Sequence, residues 1–103
     1  ARRNIPAVIV VNNNHSLNQD IGPYTAAYGG TLHGRHSELW HFRDVDFVAL
    51  AESMGVRGFR VEKASEFGFA MEQALATGGP ALINVVTDID ALAPKGSAEP
   101  AAG

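Results

Sequence analysis

The 103-residue chain contains no cysteine. Disulfides, thiolate nucleophiles and cysteine-bound metals are therefore excluded. No apolar run approaches the roughly 20 residues of a membrane-crossing helix. The apolar run from Ala7 to Val11 is also too short for a signal peptide. Basic residues are few: eight Lys and Arg against eleven Asp and Glu give a formal charge of −3. They are scattered, with no basic stripe to suit nucleic acid. Neither G-x-G-x-x-G nor a G-K-[ST] ending occurs, so the glycines form no familiar phosphate cradle. These absences lead us to expect a cytoplasmic protein with neither nucleic acid nor membrane as partner.

What remains suits one globular domain with a modest core, at 46% hydrophobic and 18% charged residues. Ala7 to Val11 ("AVIVV") reads as a strand buried on both faces, the kind found in parallel sheets covered by helices. Residues 12–43 hold no sustained period and carry the turn signals Gly22-Pro23, Gly29-Gly30 and Gly34. Long irregular stretches of this kind are usually functional. Phe47, Leu50, Ala51 and Met54 then fall on a helical stripe, with Asp44 or Asp46 to cap its start and Gly55 to end it. Arg57 to Glu62 alternates like a short strand. Ser65 is the expected N-cap of a second helix with the stripe Phe67, Ala70, Met71, Ala74 and Leu75, stopped by Gly78-Gly79-Pro80. Ala81 to Thr87 ("ALINVVT") is another strand of the buried type.

Strand, long loop, helix, strand, helix, strand is the order of an α/β fold with right-handed crossovers. We expect a partial doubly wound, mostly parallel sheet with flanking helices over residues 1–93, and a disordered tail over 94–103.

The stretch "VIVVNNNHSLNQD", residues 8–20, is the most informative. A buried strand runs into a dense cluster of amides, and in open α/β sheets ligands bind beyond the carboxyl ends of strands. Asparagine oxygens are hard ligands suited to Mg²⁺ or Ca²⁺, and the NH₂ groups can donate to phosphate. Asparagine also serves turns that need unusual backbone angles. Composition leaves both uses open.

"NIPAVIVVNNNHS", the loop after it, and "DFVALAESMGVRGFRVEKASEFGFAMEQALATGGPALINVVTD" resemble the C-terminal end of thiamine-diphosphate-dependent enzymes, in the acetolactate synthase and 2-oxoacid decarboxylase superfamily. The resemblance covers about residues 4 to 90. It implies an incomplete Rossmann-like domain that binds thiamine diphosphate and Mg²⁺. Asn13 would ligate the metal through its side chain and His15 through its backbone carbonyl. Asn18 and Gln19 would reach the cofactor or a 2-oxo acid substrate. Relatives often have an apolar residue at the first of these two positions and sometimes a carboxylate at the second. Gln19 does not titrate in a useful range and so cannot be a general acid or base. No catalytic residue is assigned.

Two parts that the resemblance implies are absent from these 103 residues. No Gly-Asp-Gly occurs, although the family's metal motif begins with it. The family's activating glutamate comes from another domain, usually a partner subunit's, and Glu38, Glu52, Glu62, Glu66, Glu72 and Glu99 match no motif for that role. The expectation is a carboligating or decarboxylating enzyme acting on 2-oxo acids, inactive as this piece alone. It would need the remainder of the chain and a second subunit in a homo-oligomer. The alternatives are a thiamine-dependent aldehyde lyase or acyl-CoA decarboxylase, or a non-catalytic flavodoxin-like interaction module.

Other features carry blander expectations. His33, His36 and His41 lie close in sequence but lack a firm register, so packing or solvation is expected rather than a metal site. Leu39, Trp40 and Phe42 are expected to dock the loop on the body of the domain, and Tyr24 with Tyr28 marks a helical turn. Asn14-His15-Ser16 matches a glycosylation sequon, which we take as accidental.

Overall fold

The computed structural model describes residues 1–91. Its strands are β1 (Val8–Asn13), β2 (Arg57–Val61) and β3 (Ala81–Val86), all parallel, in the order β1-β3-β2. The helices are α1 (Ile21–Ala27), α2 (Phe47–Ser53) and α3 (Phe67–Ala76). The chain crosses from β1 past β3 to β2 by way of α2, then returns to β3 by way of α3. Because the second crossover reverses direction, α3 must take the opposite face if both crossovers keep one hand. The packing agrees. Ala70 and Ala74 of α3 are buried with Val61, Ala81 and Ile83 on one face. Val48 of α2 lies over Gly58 on the other. The expected partly wound α/β architecture is the one found. The expected tail, 94–103, lies outside the described residues.

The helix ends follow their local chemistry. Asp46 Oδ1 accepts from the Ala49 N–H at 2.9 Å and caps α2, an interaction that stabilises a helix by about 1 kcal/mol. Gly55, at φ +76°, donates to Glu52 C=O while Val56 N–H reaches Ala51 C=O, so α2 stops in a Schellman turn. Gly78, at φ +67°, turns the chain after α3. Ser65 is not a cap. It sits inside a 3-10 turn (Ala64–Glu66) whose last residue already has helical angles, so the chain enters α3 without the extended residue that a capping side chain needs.

Burial departs from expectation at β1. Ile9 is 53% and Val10 45% exposed, although the strand reads as buried on both faces. Both helices pack over β2 and β3, and β1 lies at the sheet edge, where Val8 still packs on the core while Ile9 and Val10 are left exposed. The helical stripes are likewise only partly used. Ala51 is buried in α2 while Leu50 and Met54 are exposed; in α3, Leu75 is exposed.

The long loop is more regular than its composition suggests. It contains α1, with Tyr24 inside and Tyr28 as its C-cap, and 3-10 turns at Asn18–Asp20 and His36–Leu39. Trp40, 3% exposed, anchors it, but on the loop's own Tyr24 and His36 rings (centroids 5.7 and 5.1 Å away). Leu39 and Phe42 are exposed, so Trp40 alone fulfils the anchoring role, and within the loop.

Two positions test this packing. A methyl group on Gly58 would lie 2.7 Å from Val48 Cγ1 and 3.1 Å from the Val48 Cα and carbonyl oxygen. Gly58→Ala should therefore push α2 off the sheet and destabilise the chain by about 1–3 kcal/mol in urea unfolding; an unchanged midpoint would contradict the close approach. Asn84, at the centre of β3, is fully buried, and neither amide atom has a partner among the described residues. Leucine has a similar shape and no unmet hydrogen bonds. Asn84→Leu should stabilise the chain by about 1–3 kcal/mol, and a loss of stability would show that the amide is satisfied.

Candidate functional site

β1 runs further than its apolar residues suggest. Asn12 and Asn13 are its last two residues and pair with Val85 and Val86. Because side chains alternate along a strand, the two amides point to opposite faces of the sheet. Asn13 shares the face of Ile9 and Val11 and is 6% exposed, whereas Asn12 is exposed.

Two side-chain turns follow. Asn13 Oδ1 accepts from the His15 N–H at 3.1 Å, and Asn14 Oδ1 accepts from the Ser16 N–H at 3.1 Å. Between them His15 takes the left-handed backbone conformation, φ +58°, which is uncommon outside glycine, though enriched in His and Asn. The turning role of asparagine is thus present. It does not exhaust the amide of Asn13, whose Nδ2 is buried with no partner among the described residues. An unpaired buried donor is expensive, and a bound oxygen ligand would relieve it.

The carbonyl of His15 accepts from the Phe42 N–H at 2.8 Å, and Leu17 N–H donates to the Trp40 carbonyl at 2.8 Å. Ser16 faces His41 in an isolated antiparallel bridge. These bonds zip the start of the loop to its end. The His15 ring lies with Nδ1 3.4 Å from Asp44 Oδ1.

An open cleft of about 460 Å³ lies beside this turn, and Asn12, Asn14, Ser16, Asn18 and Gln19 line it. Asn13 and His15, the residues implied as metal ligands, do not line the cleft, whereas Asn18 and Gln19 do. The Asn18 NH₂ donates to the Ile89 carbonyl, and Gln19 is exposed. Asn12 Oδ1 accepts from the Thr87 hydroxyl at 2.8 Å, and the Thr87 N–H donates to the Asn13 carbonyl at 2.9 Å.

Sequence reasoning assigned no individual site role to Asn12, Asn14, Thr87 or Ile89. The available signal was position: Thr87 follows β3 directly, and the carboxyl end of the strand beside β1 belongs to the same rim.

The donor set consists of amide and carbonyl oxygens with amide N–H groups. Oxygens of this kind suit a hard divalent cation, and the N–H groups suit phosphate. A carbonyl oxygen has two lone pairs, so Asn13 Oδ1 and the His15 carbonyl each keep one beyond their present bond. No group of three His, Asp or Glu residues gathers to hold a metal among the described residues, which leaves His33, His36 and His41 without a centre of their own. None of the described glutamates lines the cleft. Among the described residues no helix is long and apolar enough to cross a membrane.

The chain is similar to known acetolactate synthases. It is 40% identical over 48 residues to the mitochondrial acetolactate synthase catalytic subunit of Saccharomyces cerevisiae, a stretch that is 47% of this chain and 7% of that protein. It is 33% identical over 82 residues to the mitochondrial acetolactate synthase of Schizosaccharomyces pombe, covering 80% of this chain and 12% of that protein. The chain thus spans only a small part of the length of these relatives. Residues 1–85 match the family described as thiamine pyrophosphate enzyme, C-terminal TPP binding domain. With its parallel sheet, its amide-rich strand end and this match over most of its length, the chain belongs to the thiamine pyrophosphate enzymes as a C-terminal TPP-binding domain.

Proposed function

We propose that this chain supplies the metal- and diphosphate-holding end of a Mg²⁺-dependent enzyme of the acetolactate synthase type, acting on 2-oxo acids. The observation that carries the reading is the buried Asn13 amide at the carboxyl end of β1, with Nδ2 unpartnered among the described residues. The names of the aligned relatives favour acetolactate synthase chemistry over an aldehyde lyase or an acyl-CoA decarboxylase.

Thiamine diphosphate, when bound, supplies the electron sink for breaking the bond to the carboxylate of a 2-oxo acid. The residues of this chain hold and orient. Asn13 Oδ1 and the His15 carbonyl offer hard oxygens to Mg²⁺, which usually takes few protein ligands and completes its shell with phosphate and water. Asn13 Nδ2, unpartnered among the described residues, would donate to a diphosphate oxygen. Gln19 and Asn18, on the cleft wall, offer amide hydrogen bonds to the cofactor or to the 2-oxo acid. The loop from Asp20 to Arg43, its flanks tied together through His15 with Phe42 and Leu17 with Trp40, would order over the bound cofactor and limit water there.

The remaining metal ligands and the activating carboxylate come from the rest of the polypeptide and from a second subunit of a homo-oligomer. Ile9 and Val10 of β1 support such a need, because apolar side chains left exposed on a strand call for a cover.

In the full-length enzyme, Asn13→Ala should raise the Mg²⁺ concentration needed for half-maximal turnover of a 2-oxo acid by more than the about 10–100-fold typical of losing an outer-shell partner. The isolated 103-residue chain, given the same cofactors, should show no turnover. An unaltered Mg²⁺ requirement would remove the ligand assignment, and turnover by the isolated chain would overturn its dependence on other parts.

A further inference from the structure

Asn12 is tied to a residue 75 positions away. The Thr87 hydroxyl donates to Asn12 Oδ1 at 2.8 Å while the Thr87 N–H donates to the Asn13 carbonyl at 2.9 Å. Thr87 thus holds both members of the asparagine pair, one through its side chain and one through its backbone. Two residues on, the Ile89 carbonyl accepts from the Asn18 NH₂. The short segment after β3 therefore straps the amide-rich turn at two further points, and both strapped side chains, Asn12 and Asn18, line the same cleft.

The consequence for Asn12 follows from the chemistry of an amide. Its side chain carries an acceptor end and a donor end of nearly equal size, and rotation about χ2 is soft. Left free at the edge of a solvent-filled cleft, it would present either end. A hydroxyl can donate or accept, and in this structure the Thr87 hydroxyl donates to Asn12 Oδ1; in that orientation the NH₂ is the end left for a ligand, and two N–H donors suit an anionic oxygen rather than a cation. We propose that Thr87 is a positioning residue: it commits Asn12 to the cleft as a hydrogen-bond donor toward the diphosphate, while Asn13, on the opposite face, offers its oxygen to the metal. This rests on the reading of the β1 end as the diphosphate and metal site. A hydrogen bond so exposed contributes little to folding, which separates its positioning role from a structural one.

The test uses the full-length enzyme. Thiamine diphosphate is titrated calorimetrically in the presence of Mg²⁺, alongside urea unfolding, for Thr87→Val and Thr87→Ser. Valine keeps the shape without the hydroxyl; serine keeps the hydroxyl. Thr87→Val should bind thiamine diphosphate about five- to tenfold more weakly, the range expected for one lost hydrogen bond. Thr87→Ser should remain within about twofold of the parent, and both unfolding midpoints should hold. Wild-type affinity in Thr87→Val would overturn the inference, as would equal weakening in both variants together with lowered midpoints. If the parent enzyme binds thiamine diphosphate and Asn13→Ala weakens that binding while Thr87→Val does not, this inference alone falls. If the parent enzyme binds none, the site reading falls and takes this inference with it.

Discussion

Parallel pairing of β1 with β3 sets Asn13 opposite Val86 and brings the Thr87 N–H onto the Asn13 carbonyl. Two more residues of ladder on β1 than its apolar run requires draw Asn12 and Asn13 into the sheet. The strict alternation of a strand then sends one amide to each face. A slip of one residue would exchange them, placing Asn12 in the buried position and Asn13 in solvent. The register thus decides which asparagine is buried with a donor to spare and which meets Thr87. The rest of the site hangs from that point. The turn that follows is held by Asn13 and Asn14 bonding forward to backbone N–H groups, and the far end of the loop is zipped to it through His15 and Leu17.

The helices and strands were legible where a local rule governs them. Gly55 and Gly78 end helices because each takes a left-handed conformation that other residues resist. Asp46 caps α2, as its place just before the apolar stripe suggests. Ser65 follows the same rule in sequence but not in space, because a 3-10 turn leads into α3 and leaves no extended residue to cap. Trp40 was recognisable as an anchor by its size. What it anchors to was not, because the Tyr24 and His36 rings come together only once α1 and the following turn have formed. The partnership of Thr87 with Asn12 was hidden for the same reason: no spacing rule links residues 75 apart, and only strand order brings them together.

Burial was the least legible property. A run of Val and Ile says that a strand can be covered on both faces, not that this chain supplies the cover. Ile9 and Val10 are bare because α2 and α3 both serve β2 and β3. Leu50, Met54 and Leu75 lie on helical stripes whose period was right, yet they are exposed. Asn84 is the reverse case, a buried amide without partners among the described residues, in the middle of an otherwise apolar strand. These mismatches share a physical theme: side-chain pattern reports what an element could bury, while strand order and helix placement decide what it does bury.

The central claim concerns one oxygen atom. Manganese replaces magnesium readily in oxygen-ligand sites and scatters anomalously, so crystals of the full-length enzyme grown with Mn²⁺ and thiamine diphosphate would locate the cation. The account predicts an anomalous peak about 2.0–2.3 Å from Asn13 Oδ1, close to the Mg²⁺–oxygen distance, with the His15 carbonyl as a second ligand from this chain. A peak away from Asn13, with its Oδ1 still bonded only to the His15 N–H, would contradict it.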